Sequence, residues 1–106
     1  MPLDLQRPDL TVGIVGAGVM GRGIVQIALQ AGIQVVLYDA RPDAAPAARE
    51  HVIGMLAKLA ERGKIGTESA RRATELLDVA SARTRLASCH VVIEAITEDL
   101  QAKREL

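Results

Sequence analysis

Residues 12–39 read VGIVGAGVMGRGIVQIALQAGIQVVLYD, and this stretch decides how the rest of the chain folds. It opens with an apolar run, passes through the pattern Gly16-x-Gly18-x-x-Gly21 and continues with apolar residues at helical spacing. A second apolar run then finishes on Asp39. The order of strand, glycine turn, helix, strand and acid predicts a parallel βαβ unit.

The three glycines and the acid predict a site for a dinucleotide. Gly16 permits a tight turn, Gly18 lets the backbone approach a pyrophosphate, and Gly21 lets the helix lie close to the sheet. The N–H groups at the start of the helix, with the helix dipole behind them, attract the charge of the diphosphate. Asp39 can accept hydrogen bonds from an adenosine ribose and would repel a 2′-phosphate, which favours NAD. The alternative, a strand–turn–helix that binds nothing, does not account for this acid.

Composition indicates one small globular domain with an aliphatic core. The chain has 106 residues, of which 49% are hydrophobic and 25% are charged. Tyr38 is the only Phe, Trp or Tyr residue, so the core must consist of Val, Ile, Leu and Ala. A chain of this length forms at most one domain, or part of one.

Charge and cysteine content argue against several classes of function. The formal net charge is zero and no basic cluster occurs, which argues against nucleic acid or an anionic membrane as a partner. No apolar run is long enough to span a membrane, and residues 1–10 do not resemble a signal peptide. Cys89 is the only cysteine. The sequence therefore predicts no internal disulfide, no metal site and a cytoplasmic location.

Apolar periodicity and turn residues divide the chain into alternating strands and helices. We expect a flexible lead-in over residues 1–10 and a Rossmann-type NAD-binding domain over 11–106. The predicted strands cover residues 11–15, 35–38, 76–80 and 90–95. The predicted helices cover residues 20–31, 44–62, 68–75 and 82–87, and a last one starts at Glu98 after a cap at Thr97.

This order predicts an α/β fold with a doubly wound parallel sheet. The expected strand order is 3-2-1-4, with a helical hairpin inserted in the second crossover and the fold truncated after the fourth strand. A cleft should open at the carboxyl ends of the strands, beside Gly16, Asp39 and Ala95. Thr67 is the predicted cap of the hairpin's second helix. The predicted buried stripe of the first helix consists of Met20, Ile24, Ile27, Ala28 and Ala31.

Three segments of the chain resemble one known family. They are GIVGAGVMGRGIVQIALQAGIQVVLYDA, a long helix ending in ERGKIG, and the run HVVIEAITEDLQAK. Together they look like the amino-terminal half of 3-hydroxyacyl-CoA dehydrogenases. The first motif is shared by many dehydrogenases, whereas the hairpin together with VIEA-x-x-E-D-L is far more specific. The resemblance covers about residues 11–106.

The resemblance implies NAD as cofactor, an acyl-CoA as substrate, and roles for particular residues. Asp39 would hold the adenosine ribose, and Glu98 and Lys103 would contact the nicotinamide half of NAD. Arg62 falls about where a basic residue of the family meets coenzyme A phosphates. The alternatives are a solvated first helical turn for Glu98 and Lys103, and an ordinary surface cation for Arg62. The residues expected to line the pyrophosphate are Gly16, Ala17, Gly18, Val19, Met20 and Gly21.

The resemblance also implies that the catalytic residues lie beyond Leu106, so no catalytic residue is predicted in this chain. In the family a His acts as general base on the 3-hydroxyl while hydride leaves for the nicotinamide, and a Glu orients it. His51 and His90 match neither role.

The expected function is therefore the NAD-binding part of an NAD-dependent L-3-hydroxyacyl-CoA dehydrogenase. Fatty-acid β-oxidation is one process that uses this chemistry. We expect the full-length protein to be a homodimer. The alternatives are a related dehydrogenase of a non-CoA hydroxy acid or sugar acid, and a non-catalytic NAD-binding protein.

Overall fold

The computed structural model describes residues 10–95, which form one parallel sheet and its covering helices. The strands are β1 (Thr11–Val15), β2 (Gln34–Tyr38), β3 (Leu77–Val79) and β4 (Val91–Glu94). The helices are α1 (Val19–Gln30), α2 (Ala44–Glu61), α3 (Thr67–Glu75) and a 3₁₀ helix at Arg83–Ser88. The sheet order is β3-β2-β1-β4, and each neighbouring pair is parallel. The predicted α/β Rossmann-type fold and its strand order are confirmed.

β1 lies between β2 and β4 and is buried on both of its faces, as an apolar parallel strand requires. On one face Val12 joins the core beneath the α-helices, and on the other Val15 packs with Leu86 of the 3₁₀ helix. Gly13 faces the same 3₁₀ helix, and a Cβ on it would stand 2.9 Å from Leu86 Cδ2. Glycine therefore lets the segment before β4 pack directly on the sheet.

The rotation of α1 on the sheet is set by Gly21. A Cβ on this residue would stand 1.8 Å from the carbonyl oxygen of Gly16, so no side chain fits between the helix and the glycine turn. Residues at helical spacing from Gly21 share its face. Val25, Ala28 and Leu29 are accordingly the buried side chains of α1.

The predicted apolar stripe of α1 is therefore wrong in its orientation. Met20 and Ile27 are 57% and 72% exposed, and Ala31 is exposed as well. Of the predicted stripe only Ala28 is buried, while Ile24 is partly buried against the core. Hydrophobicity alone favours a face that includes Met20 and Ile27, but the backbone contact at the glycine turn decides which face meets the sheet.

Two smaller predictions are also wrong. Thr67 is the first residue of α3 rather than its cap, because Gly66 occupies the N-cap position. Leu10, which the sequence placed in the flexible lead-in, is 1% exposed and belongs to the core. The rest of the lead-in, the cap at Thr97 and the helix predicted from Glu98 lie outside the described residues.

α2 and α3 form the predicted hairpin. The turn after α2 is made by glycine, since Gly63 has φ +71° and the next N–H, of Lys64, donates to the Leu59 carbonyl over 2.9 Å. Within residues 10–95, no helix combines the length and the apolar character that crossing a membrane demands. The buried residues of α2 are Ala45, Ala48, Val52 and Leu56.

We expect Gly21→Ala to destabilise the chain, because its methyl group would overlap the Gly16 carbonyl. Overpacking typically lowers the free energy of unfolding by about 1–3 kcal/mol. Gly23→Ala is the matched control, since Gly23 lies on the exposed side of the same helix with no atom within 4 Å of where a Cβ would stand. This variant should gain up to about 1 kcal/mol from helix propensity. Urea denaturation followed by circular dichroism measures both changes, and a Gly21→Ala chain as stable as the wild type would contradict the close contact.

Candidate cofactor-binding site

A cleft of about 580 Å³ opens at the carboxyl ends of the strands. β1 has β2 on one side and β4 on the other, so the cleft lies at the switch point where doubly wound sheets bind ligands. The predicted place of the cleft, beside Gly16, Asp39 and Ala95, is confirmed. Its lining residues are Val15, Gly16, Ala17, Gly18, Val19, Tyr38, Asp39, Ala40, Arg41, Arg83 and Ala95.

The turn after β1 forms one wall of the cleft and depends on glycine. Gly16 has φ +110°, a conformation that other residues rarely adopt. Its N–H donates to the Tyr38 carbonyl over 2.8 Å, which ties the end of β1 to the end of β2. Gly18 then provides the N-cap of α1 with an extended backbone. This wall therefore presents mainly backbone to a ligand.

The amino end of α1 is electropositive where it meets the cleft. The first four N–H groups of an α-helix have no acceptor within the helix, and no side chain caps those of α1. Its first turn contains no acidic residue to offset the helix dipole. Gly18 and Val19 place this end in the lining of the cleft, where it favours an anionic ligand.

Asp39 lies on the other side of the cleft and is tied to the glycine turn. Its Oδ2 accepts the N–H of Ala17 over 2.8 Å. Arg41 donates three further bonds, from its backbone N–H, its Nε and its Nη2. The side-chain bond from Arg41 is the largest influence and is only partly opposed by burial, so the pKa of Asp39 lies well below its usual range. The carboxylate is therefore ionised at neutral pH and acts only as an acceptor.

Arg83 adds a cation to the cleft that sequence reasoning missed. It is the first residue of the 3₁₀ helix, and its Nη2 lies 2.8 Å from Oε1 of Glu94 at the end of β4. No motif surrounds Arg83 in the sequence. Only the packing of the 3₁₀ helix against the sheet brings this residue to the rim, so no local sequence signal could have found it.

The structure brings together some of the residues predicted to bind the cofactor and separates others. Met20 and Gly21 do not line the cleft, because Met20 points to solvent and Gly21 packs against Gly16. Arg62 is exposed at the C-cap of α2 and is not part of the cleft lining. Glu98 and Lys103 lie outside the described residues. The predicted residues that do line the cleft are Gly16, Ala17, Gly18, Val19 and Asp39.

The histidines and the cysteine of the described chain do not line the cleft. His90 accepts the Thr11 N–H through Nδ1 over 3.1 Å, at the edge of the sheet where the strands begin. His51 is exposed on α2. Burial raises the pKa of the Cys89 thiol, which disfavours the nucleophilic thiolate. Residues 10–95 contain no group of three His, Cys, Asp or Glu side chains able to hold a metal ion.

A second cavity of similar volume lies at the opposite edge of the sheet, between the end of α1 and the length of α3. Its charged residues, Arg72 and Glu75, are exposed on α3. The other polar side chains in its lining, Gln30 and Ser69, are exposed as well, so this cavity lacks the fixed polar groups of a ligand site. The cleft at the glycine turn is therefore the candidate site.

Sequence comparison places the chain among dehydrogenases of CoA esters. It matches the family model described as 3-hydroxyacyl-CoA dehydrogenase, NAD binding domain, over residues 11–106. A probable 3-hydroxybutyryl-CoA dehydrogenase of Bacillus subtilis is 36% identical over 93 residues, which are 88% of this chain and 32% of the relative. A 3-hydroxyadipyl-CoA dehydrogenase of Escherichia coli is 35% identical over 96 residues, 91% of this chain and 20% of the relative.

Structural comparison matches the chain to the same group of dehydrogenases. The crystal structure of a 3-hydroxybutyryl-CoA dehydrogenase from Escherichia coli matches with a TM-score of 0.80 at 34% identity, over 91% of this chain and 20% of that protein. The chain thus spans between a fifth and a third of the length of these relatives. Because the family model matches residues 11–106, nearly all of the sequence, the chain belongs to the NAD-binding domain family of the 3-hydroxyacyl-CoA dehydrogenases.

Proposed function

We propose that the chain is the NAD-binding part of an L-3-hydroxyacyl-CoA dehydrogenase, which oxidises a 3-hydroxyacyl-CoA to a 3-oxoacyl-CoA by hydride transfer to NAD. The observation that carries this proposal is the cleft, lined by both the uncapped end of α1 and the ionised carboxylate of Asp39, in a chain of this family. Relatives named 3-hydroxybutyryl-CoA and 3-hydroxyadipyl-CoA dehydrogenase support an acyl-CoA as the substrate class.

The residues of the cleft suit NAD, the cofactor of this family. The N–H groups near Gly18 and Val19 would bind the diphosphate, since the end of the helix favours negative charge. Asp39 would accept hydrogen bonds from the hydroxyls of the adenosine ribose. When bound, NAD supplies the hydride acceptor, and the residues of this chain hold and orient it.

Three further contacts remain proposals. Glu98 and Lys103, which lie outside the described residues, are proposed on the family resemblance to contact the nicotinamide half of NAD. Arg62 is proposed to contact the phosphates of coenzyme A. Its exposed position at the end of α2, apart from the cleft, suits a contact with the substrate rather than with the dinucleotide.

The described residues that line the cleft supply binding but no general base. Asp39 is the only carboxylate in this lining, and it is ionised and accepts four hydrogen bonds. No histidine belongs to the lining. We therefore propose that proton transfer from the 3-hydroxyl depends on residues of the whole protein outside this chain.

We further propose that the enzyme is cytoplasmic, serves fatty-acid oxidation or a related process, has neither nucleic acid nor membrane as a partner, and is a homodimer at full length. The single cysteine supports the cytoplasmic location, and the zero net charge supports the absence of nucleic acid and membrane as partners. Val92 and Ile93 are 44% and 36% exposed on β4, and such an apolar strand is a surface for association. Light scattering of the full-length protein would measure its assembly.

We expect Asp39→Ala to weaken binding of NAD. The loss of hydrogen bonds to a charged acceptor costs about 1.5–3 kcal/mol, which corresponds to a roughly ten- to hundred-fold higher Kd. The wild-type chain should bind NADP more weakly than NAD, because a 2′-phosphate would meet the Asp39 carboxylate.

Isothermal titration of both cofactors measures these affinities. Asp43→Ala is the matched control, because Asp43 is exposed four residues further on and its side chain caps no helix N–H. An Asp39→Ala chain that binds NAD as tightly as the wild type would contradict the role assigned to Asp39.

We also expect the isolated chain to bind NADH without turning over substrate, because residues 10–95 provide the adenosine site but no base beside a substrate carbinol. Acetoacetyl-CoA with NADH should give no rate above the blank, while NADH fluorescence confirms that the same sample binds cofactor. Turnover by the purified chain would show that catalytic residues lie within it.

A further inference from the structure

The Asp39 carboxylate has no free acceptor position, because it accepts four hydrogen bonds and Arg41 donates three of them. Oδ1 accepts the backbone N–H of Arg41 over 2.8 Å and its Nε over 3.0 Å. Oδ2 accepts the Ala17 N–H over 2.8 Å and Nη2 of Arg41 over 3.0 Å. A carboxylate offers about four lone-pair positions for hydrogen bonds. A ribose hydroxyl can therefore reach Asp39 only by displacing one of these donors.

The guanidinium of Arg41 is the donor that can leave. The other two donors are backbone N–H groups, one in the glycine turn and one in the turn after β2, and the backbone around them holds them in place. The Arg41 side chain is 71% exposed, whereas that of Asp39 is 8% exposed. An arginine so exposed can rotate into solvent at little cost, since ion pairs of this kind contribute little to stability.

We propose that Arg41 is a specificity-determining residue of the adenosine site: its guanidinium competes with the ribose hydroxyls of NAD for Asp39 and favours a 2′-phosphate. The inference rests on the proposed binding of the adenosine ribose at Asp39. NAD brings two hydroxyl donors that need the positions of Nε and Nη2. NADP brings a phosphate in place of one hydroxyl, and a guanidinium binds phosphate oxygens through paired N–H donors. Arg41 thus opposes the cofactor that Asp39 selects and reduces the preference for NAD.

The proposal predicts effects of opposite sign for the two cofactors. In Arg41→Ala the Kd for NAD should fall about two- to five-fold, the range expected from removing an exposed competing ion pair. The Kd for NADP should rise roughly ten-fold or more, because the 2′-phosphate loses its charged donor. In Arg41→Lys, which keeps the charge but lacks the paired donors, both values should lie between those of Arg41→Ala and the wild type.

Isothermal titration of NAD, NADP and ADP-ribose into the 106-residue chain tests this. ADP-ribose lacks the nicotinamide but keeps the adenosine ribose and the diphosphate, so it should follow NAD. Arg72→Ala is the matched control, since Arg72 is an exposed, ion-paired arginine on α3 outside the cleft. It should leave all three affinities unchanged, and circular dichroism verifies that each variant is folded.

Weaker binding of NAD by Arg41→Ala would overturn the proposal, because it would mean that the arginine contacts the nucleotide favourably, for example by stacking on the adenine. Unchanged binding of NAD, or an equal change for both cofactors, would overturn it as well. If the wild type binds NAD but the Arg41 variants do not show the expected changes in Kd, the role of Arg41 is rejected and the proposed function stands. If the folded wild type binds none of the three nucleotides, the proposed function itself fails.

Discussion

The structure depends on the contact between the helix face at Gly21 and the carbonyl of Gly16. A Cβ at Gly21 would stand 1.8 Å from that oxygen, so the helix can rest on the turn only where it has no side chain. This contact orients α1, directs Val25 and Ala28 into the core and places the amino end of the helix at the end of β1. The same backbone geometry thus serves both packing and the approach of an anion.

The Asp39 carboxylate links stability to binding in a similar way. The Oδ2 atom of Asp39 accepts a hydrogen bond from the Ala17 N–H, so this carboxylate supports the glycine turn independently of a ligand. Its contacts with Arg41 hold the pKa of Asp39 low. The stability that depends on the ionised carboxylate is therefore present at neutral pH and is lost only as the pH falls below the ordinary pKa range of an aspartate. An acid at this place is therefore a structural element as well as a ribose acceptor.

Each arginine of the cleft is paired with an acid. Arg41 pairs with Asp39, and Arg83 pairs with Glu94 across the rim. A dinucleotide would therefore exchange existing ion pairs for its own contacts rather than meet free charges. The uncapped end of α1 is different, because no acid in its first turn offsets it. The backbone, more than the side chains, is therefore ready to accept the diphosphate.

The sequence was sufficient to predict the βαβ unit, the strand order and the position of the cleft, because glycine turns, apolar periodicity and an acid at the end of a strand act over short stretches of chain. It did not determine the face of α1 that is buried, since Met20 and Ile27 are more hydrophobic than the glycine that excludes them from the sheet. Nor did it place Arg83 at the rim, which requires the 3₁₀ helix to pack on Gly13 of a distant strand. Periodicity specifies a type of element, whereas close contacts between separate elements decide its rotation and its neighbours.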